Sequence, residues 1–171
     1  MSKFEQLLSG GDLRSIGNSN AVVACIGDQR DFDELFECLY HRERIVVMRA
    51  ADAIEKITRR TPEYLAKHRA QFPALCHAAG NKELKWHLAL LIPRLRPEGS
   101  ELEEYLVLLR KWVVDRQHSR IVRVNSLQGL FELSKQDPGL LKQLHPVLDK
   151  LEKEGVPSLN ARIRKIREGK K

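Results

Sequence analysis

A segment that recurs without gaps every 38 residues constrains the folding of this 171-residue chain more than any other feature. The stretches 46–57, 84–95 and 122–133 superpose, and three sets of positions are aliphatic throughout: Val46/Leu84/Val122, Ile54/Ile92/Leu130 and Ile57/Leu95/Leu133. Between them lie Ala50/Leu88/Ser126 and Ala53/Leu91/Gly129. Offsets of 4, 7, 8 and 11 from the first position put all of these on one side of a 3.6-residue helix. A period of this length marks stacked helical units, each burying its apolar stripe against the next.

Start signals for a second kind of helix fill the intervals. Thr61-Pro62 and Asp137-Pro138 set a capping side chain ahead of a proline, whose missing N–H is no loss in a first helical turn. Ser100-x-x-Glu103 and Asp31-x-x-Glu34 have the spacing of a capping box. These signals predict helices over 62–78, 101–115, 138–154 and 31–40. Degenerate copies are expected at 20–26 and around Leu159, Ile163 and Ile166, with Phe4–Leu8 as a short extra helix. No Asn-Gly hairpin and no sustained alternation argues for strands. The expected fold is all-α, with about eight or nine helices in antiparallel pairs. One domain covers 1–171, in units of roughly 18–40, 41–78, 79–115 and 116–154 and a basic capping helix at 155–171.

The pattern Val46-x-x-x-Ala50-Ala51-x-Ala53-Ile54-x-x-Ile57, with small residues in mid-helix and an aliphatic one turn later, resembles the HEAT-repeat class of armadillo-like α-solenoids. The resemblance covers roughly residues 18–166. It is best in the Val46 unit, fair in the Val122 unit and weaker in the third, where Leu88 and Pro93 depart from it. The family often carries Arg just after the first aliphatic; Lys85 and Arg123 match that place and Val47 does not. The resemblance implies a right-handed α-α superhelix that serves as a non-catalytic interaction scaffold, binding a protein through its concave surface.

Charge sharpens the choice of partner. The formal net charge is +7, but residues 1–40 carry −4, residues 41–154 carry +6 and the last 17 carry +5. The basic surplus is a gradient with a basic end, so nucleic acid is possible but not the favoured partner. Arg162, Arg164, Lys165 and Arg167, with Lys170 and Lys171, are the polyanion-binding candidates; the competing reading makes them the solvated face of a capping helix. Arg59, Arg60, Lys67, Arg69, Arg116 and Arg120 extend that set if they share its face. No apolar run reaches membrane-spanning length, and the first residues lack a secretory h-region. Cys25, Cys38 and Cys76, odd in number and without CxxC spacing, read as small buried hydrophobes in a reducing, cytoplasmic setting.

On the helical wheel the far side of the 38-residue segments holds Met48/Trp86/Val124, Arg49/His87/Asn125, Asp52/Leu90/Gln128 and Lys56/Arg94/Glu132. Its apolar row of Met48, Trp86, Val124 and Leu90 is either a partner-binding groove or ordinary core, since solenoid helices pack on several sides. Trp112 falls at core spacing. Asp52 reads as a surface ion-pair partner of Arg49 and Lys56 rather than a catalytic base. The six histidines show neither HExxH nor zinc-type spacing, and no phosphate-cradling or nucleophile-elbow motif occurs, so neither metal nor cofactor is expected. A second resemblance, to HEAT-like DNA alkylation-repair glycosylases, rests on loose analogues only: Asp52, Trp86, Arg49, Lys85 and Arg123. A third, to HEAT-like lyases or chaperones for a prosthetic group, rests on size alone.

Overall fold

The computed structural model describes residues 3–12 and 17–169. Every regular element among them is helical, with ten α-helices, three 3-10 helices and no strand. The chain forms two compact units, Met1–Leu95 and Arg96–Lys171.

The first unit contains α1 (Lys3–Leu8), α2 (Ser19–Ala24), α3 (Gln29–Glu37), α4 (Arg44–Thr58), α5 (Phe72–Ala78) and α6 (Lys82–Leu91). Its 3-10 helices are Cys38–Tyr40, Pro62–Gln71 and Ile92–Leu95. Helix α4 is the hub and packs against α1, α2, α3 and α6. The second unit contains α7 (Gly99–Val114), α8 (Arg120–Ser134), α9 (Pro138–Glu152) and α10 (Pro157–Arg167). Here α8 is the hub, in contact with α7, α9 and α10.

Every apolar or small position of the 38-residue period is buried, from Val46, Leu84 and Val122 to Ile57, Leu95 and Leu133. Each aliphatic side chain so placed contributes about 1.5–3 kcal/mol relative to exposure, which makes the period itself the source of the fold. Trp112 joins that core at 4% exposure.

Three predicted boundaries shift, each for a local reason. The stretch 62–78 is not one α-helix but a 3-10 helix followed by α5. Pro73, in the first turn of α5, has no N–H to donate and its ring crowds the carbonyl four residues back, which disfavours α-helical bonding in the turn before it. The N-cap of α3 lies three residues before Asp31: it is Asp28, which accepts from the backbone N–H of Arg30 and Asp31. The Asp31 carboxylate in turn accepts from the Gly27 N–H at 3.0 Å. Helix α7 begins at Gly99 behind Glu98, with no side-chain cap, so Ser100 lies inside the helix. Asp137 caps α9 as expected, accepting from the Gly139 N–H ahead of Pro138. One cysteine also departs from expectation. Cys38 and Cys76 are buried, whereas Cys25, at the C-cap of α2, is exposed.

An aromatic cluster joins α3 to the 3-10 helix Pro62–Gln71 and the start of α5. The His68 ring stacks on Phe36 at 3.9 Å between centroids, and Phe72 lies 5.9 Å from Phe36. Asp33 bolts the same elements together through Lys67, through His68 Nε2 at 2.7 Å and through Gln29 at 2.8 Å. Burial pushes its carboxyl up, but these hydrogen bonds outweigh it and hold the pKa at about 2.

Candidate partner-binding site

Polar bonds lace the first unit's α2, α4 and α6 together. Asp52 on α4 accepts from Ser19 on α2 and from Lys56 at 2.6 Å, and Lys56 also donates to Asn20 at 2.8 Å. Arg44 at the start of α4 makes a bidentate contact with Glu83 on α6, at 2.8 and 2.9 Å. Toward the other end of α4, the buried Glu55 carboxylate takes Arg59 from its own helix and Arg94 from the 3-10 helix after α6. Arg94 also donates to the Glu55 carbonyl and to Thr58 Oγ1, both at 2.6 Å. Burial alone would raise the Glu55 carboxyl, but the two guanidinium groups more than offset it and hold it below its ordinary range.

These links span about one period: 39 residues for Arg44–Glu83 and for Glu55–Arg94, 36 for Asn20–Lys56. Opposite charges one period apart were therefore the signal in the sequence that would have found them. Reading charges along single helices missed it.

The candidate residues divide between the two units and between two depths. In the first unit Met48, Arg49 and His87 are buried, at 7%, 3% and 7% exposure, and drop out of any contact surface. Arg49 is not a partner of Asp52 either. Its guanidinium turns to the carbonyls that end α1, at 2.7 Å from Leu8 and 2.6 Å from Gly10, where a cation meets the negative end of the helix dipole. Gly17 lies so close that a Cβ there would stand 2.6 Å from the Arg49 guanidinium carbon. His87 is held neutral: loss of hydration lowers its pKa to about 4 against the pull of Asp52 and Glu55, and its Nδ1 is buried without a hydrogen-bond partner.

Asp52, Lys56, Trp86, Leu90 and Arg94 remain partly exposed on α4, α6 and the turn that follows. In the second unit Val124 and Asn125 are partly exposed on α8. Gln128 is buried at 9%, donating to Glu132 and accepting from Arg162 on α10, both at 2.8 Å. Val124 joins Ile121, which is 42% exposed, beside Pro157 in an apolar recess of about 400 Å3.

The polyanion candidates are similarly divided. Arg162 is engaged by Gln128, and Arg167 by Asp149 at 2.8 Å and Glu152 at 2.9 Å. Arg164 and Lys165 point to solvent without an ion pair among the described residues. Lys170 and Lys171 lie outside the described residues. Among those residues, no group of three or more His, Cys, Asp or Glu side chains is placed to hold a metal, and no helix is long and apolar enough to cross a membrane.

One family model, described as a HEAT repeat domain, matches the chain over residues 5–170. The chain belongs to the HEAT repeat domain family. No curated protein and no solved structure matches it. The expected second helices 46–57, 84–95 and 122–133 fall on α4, on α6 with the 3-10 helix after it, and on α8.

Proposed function

We propose that this HEAT repeat protein is a non-catalytic scaffold in the cytoplasm that binds a protein partner through its second helices. The observation that carries this reading is the pair Trp86 and Leu90. They lie one turn apart on α6 and stay partly exposed, beside a layer of polar side chains already tied to one another. A rigid, half-exposed Trp with an aliphatic neighbour is the kind of anchor that dominates protein interfaces. Val124 and Ile121 offer the second unit a separate apolar contact. The carboxylates of α4 that act on His87, the neighbour of Trp86, favour scaffolding over catalysis: Asp52 and Glu55 are both engaged in structural hydrogen bonds. The three unbridged thiols suit a reducing compartment.

The nucleic-acid alternative has less support. Arg162 and Arg167 are committed to Gln128, Asp149 and Glu152, so α10 offers fewer cations for phosphate than its sequence suggests.

A photo-crosslinking amino acid at Leu90 is expected to trap one recurrent protein, while the same group at exposed Gln71 does not. Trp86→Glu is expected to abolish that adduct with the helical circular dichroism unchanged. Equal labelling from both positions, or an adduct that survives Trp86→Glu, overturns the reading. A Trp86→Glu chain that fails to fold assigns Trp86 to the core.

A further inference from the structure

The last turn of α4 ends in a pocket that the ladder fills only in part, through Lys56 and Arg59. Its volume is about 410 Å3, within the range of sites that take a small ligand or one or two side chains of a partner. Val23 and Ile26 from the end of α2, with Ile57 of α4, supply aliphatic wall. Lys56, Arg59 and Arg60 supply cations, and Thr61 and Tyr64 supply hydroxyl groups. Neither hydroxyl has a hydrogen-bond partner among the described residues, and Arg60 has no ion pair there.

The local charge count decides what such a pocket takes. Lys56 is paired with Asp52, and Arg59 and Arg94 share Glu55. The end of α4 adds a helix-dipole charge of about −0.5. Four cations against two carboxylates and that half charge leave a surplus of about one and a half positive charges, centred on Arg60. That suits one or two carboxylates and is too little for a run of backbone phosphates. The aliphatic wall asks for an apolar side chain beside the anion. Tyr64 is a poor platform for a base, since its half-buried ring already packs against Phe32 at 5.2 Å.

We propose that the pocket formed by Val23, Ile26, Ile57, Arg59, Arg60 and Thr61 binds an acidic peptide segment of the protein partner, a carboxylate-bearing side chain next to an aliphatic one. This rests on the scaffold reading and names the chemistry of the partner. Lys56 stands both in the pocket and in the ladder of the second helices, so the two contacts adjoin.

The test is fluorescence anisotropy on the full chain with a labelled peptide built on Leu-Glu-Glu-Leu and its Leu-Gln-Gln-Leu counterpart. The glutamate peptide is expected to saturate with a Kd on the order of 100 μM, and the glutamine peptide to bind at least about tenfold more weakly. Arg60→Glu is expected to weaken the glutamate peptide about tenfold, whereas Arg110→Glu, the same charge change at an exposed site of α7, leaves it unaltered. Ile26→Trp, which fills the pocket without changing charge, is expected to weaken it as well. Equal binding of the two peptides, equal loss in Arg110→Glu, or no loss in Ile26→Trp overturns the proposal. So does a labelled single-stranded oligonucleotide that binds more tightly than the peptide and is lost in Arg60→Glu. If the glutamate peptide fails to bind while the Leu90 adduct persists, the pocket assignment falls and the scaffold stands. If both are lost, the scaffold reading falls with it.

Discussion

Helices α4 and α8 are the same element at two places in the chain, yet they hold their units together by different chemistry. Arg44–Thr58 and Arg120–Ser134 are both 15 residues long and lie two periods apart. They share the stripe that begins at Val46 and Val122, and at their last turns Thr58 Oγ1 and Ser134 Oγ donate back to the carbonyls of Ile54 and Leu130, at 2.8 and 2.7 Å. Between those common points they diverge. Helix α4 buries Glu55 under two guanidinium groups, where α8 has Phe131. In α8 the buried cation is Arg123, which reaches the Val113 carbonyl at 2.7 Å and Glu154 at 2.8 Å, where α4 has Val47. Both Arg49 and Arg123 bind carbonyls near the end of another helix, α1 or α7, from positions that do not correspond in the repeat. A repeat conserves the stripe that packs, and leaves each copy free to satisfy its helix ends by whatever polar group is within reach.

The sharpest way to break this comparison is to remove the charge that α4 alone buries. Glu55→Ala strips the shared partner from Arg59 and leaves Arg94, 19% exposed, without its carboxylate. It is expected to cost about 3 kcal/mol, read from the urea midpoint at constant slope. A loss below about 1 kcal/mol would mean that α4 is held by its stripe alone, as an exposed ion pair would leave it.

A second test uses pH. The folded pKa of His87 lies at about 4, below the ordinary value of 6.5, so between those values the unfolded chain binds the extra proton. Stability is therefore expected to fall as pH drops from 6.5 toward 4, by on the order of 2–3 kcal/mol, and to be unaffected by this group above pH 7. Asp33 and Glu55, whose pKa values are lowered, act further down, as pH falls below the usual carboxylate range. His87→Phe should flatten the upper part of the fall in a series of denaturant curves. An unchanged profile would place the imidazole in water. The corresponding residue of α8, Asn125, does not titrate, so this position of the repeat has no counterpart to the effect in the second unit.

Three smaller substitutions probe the likeness of the helices. Ser126 occupies in α8 the place of Ala50 in α4, and its hydroxyl is buried without a hydrogen-bond partner. Ser126→Ala makes the two positions identical and is expected to stabilise by about 1 kcal/mol, raising the thermal midpoint. A destabilising result would show that the hydroxyl is satisfied in solution. Thr58→Val and Ser134→Ala each remove the same back-bond to the preceding turn. Ser134→Ala is expected to cost less than about 1 kcal/mol, and Thr58→Val to cost more in parallel melts, because Thr58 Oγ1 also accepts from Arg94.

Much of the fold was legible because its cause is one-dimensional. The positions 46, 50, 53, 54 and 57 and their copies sit on one helical stripe by geometry, and the structure buries each of them. Proline and aspartate reported helix starts where the cause was local, as at Asp137-Pro138. They misreported where a neighbour competed: Asp28 took the N-cap ahead of Asp31, and Pro73 divided the stretch that Pro62 opens. The candidate site was half legible. The wheel placed Met48, Arg49 and His87 with Trp86 and Leu90 on one face, but a wheel has no depth. Whether a far-side residue meets solvent or a neighbouring helix depends on how closely α1, α2 and α6 approach α4. The pocket at Arg60 was less legible still, because part of its wall comes from Val23 on α2 and Ile26 just beyond it, more than thirty residues earlier.

The sequence by itself determined that this chain is a helical repeat, since a 38-residue period of aliphatic stripes leaves water by stacking helix on helix; its likeness to HEAT units rested on the small residues in mid-helix. Tertiary structure decided which charges are spent and which remain. Arg49 is turned onto the end of α1, Glu55 sits beneath Arg59 and Arg94, Arg162 and Arg167 are engaged by Gln128, Asp149 and Glu152, and Arg60 is left over at the pocket's edge. The physical reason is range. Burial of a stripe is set by spacing along one helix, while the fate of a charge is set within a few ångströms by groups that the chain supplies from a full period away.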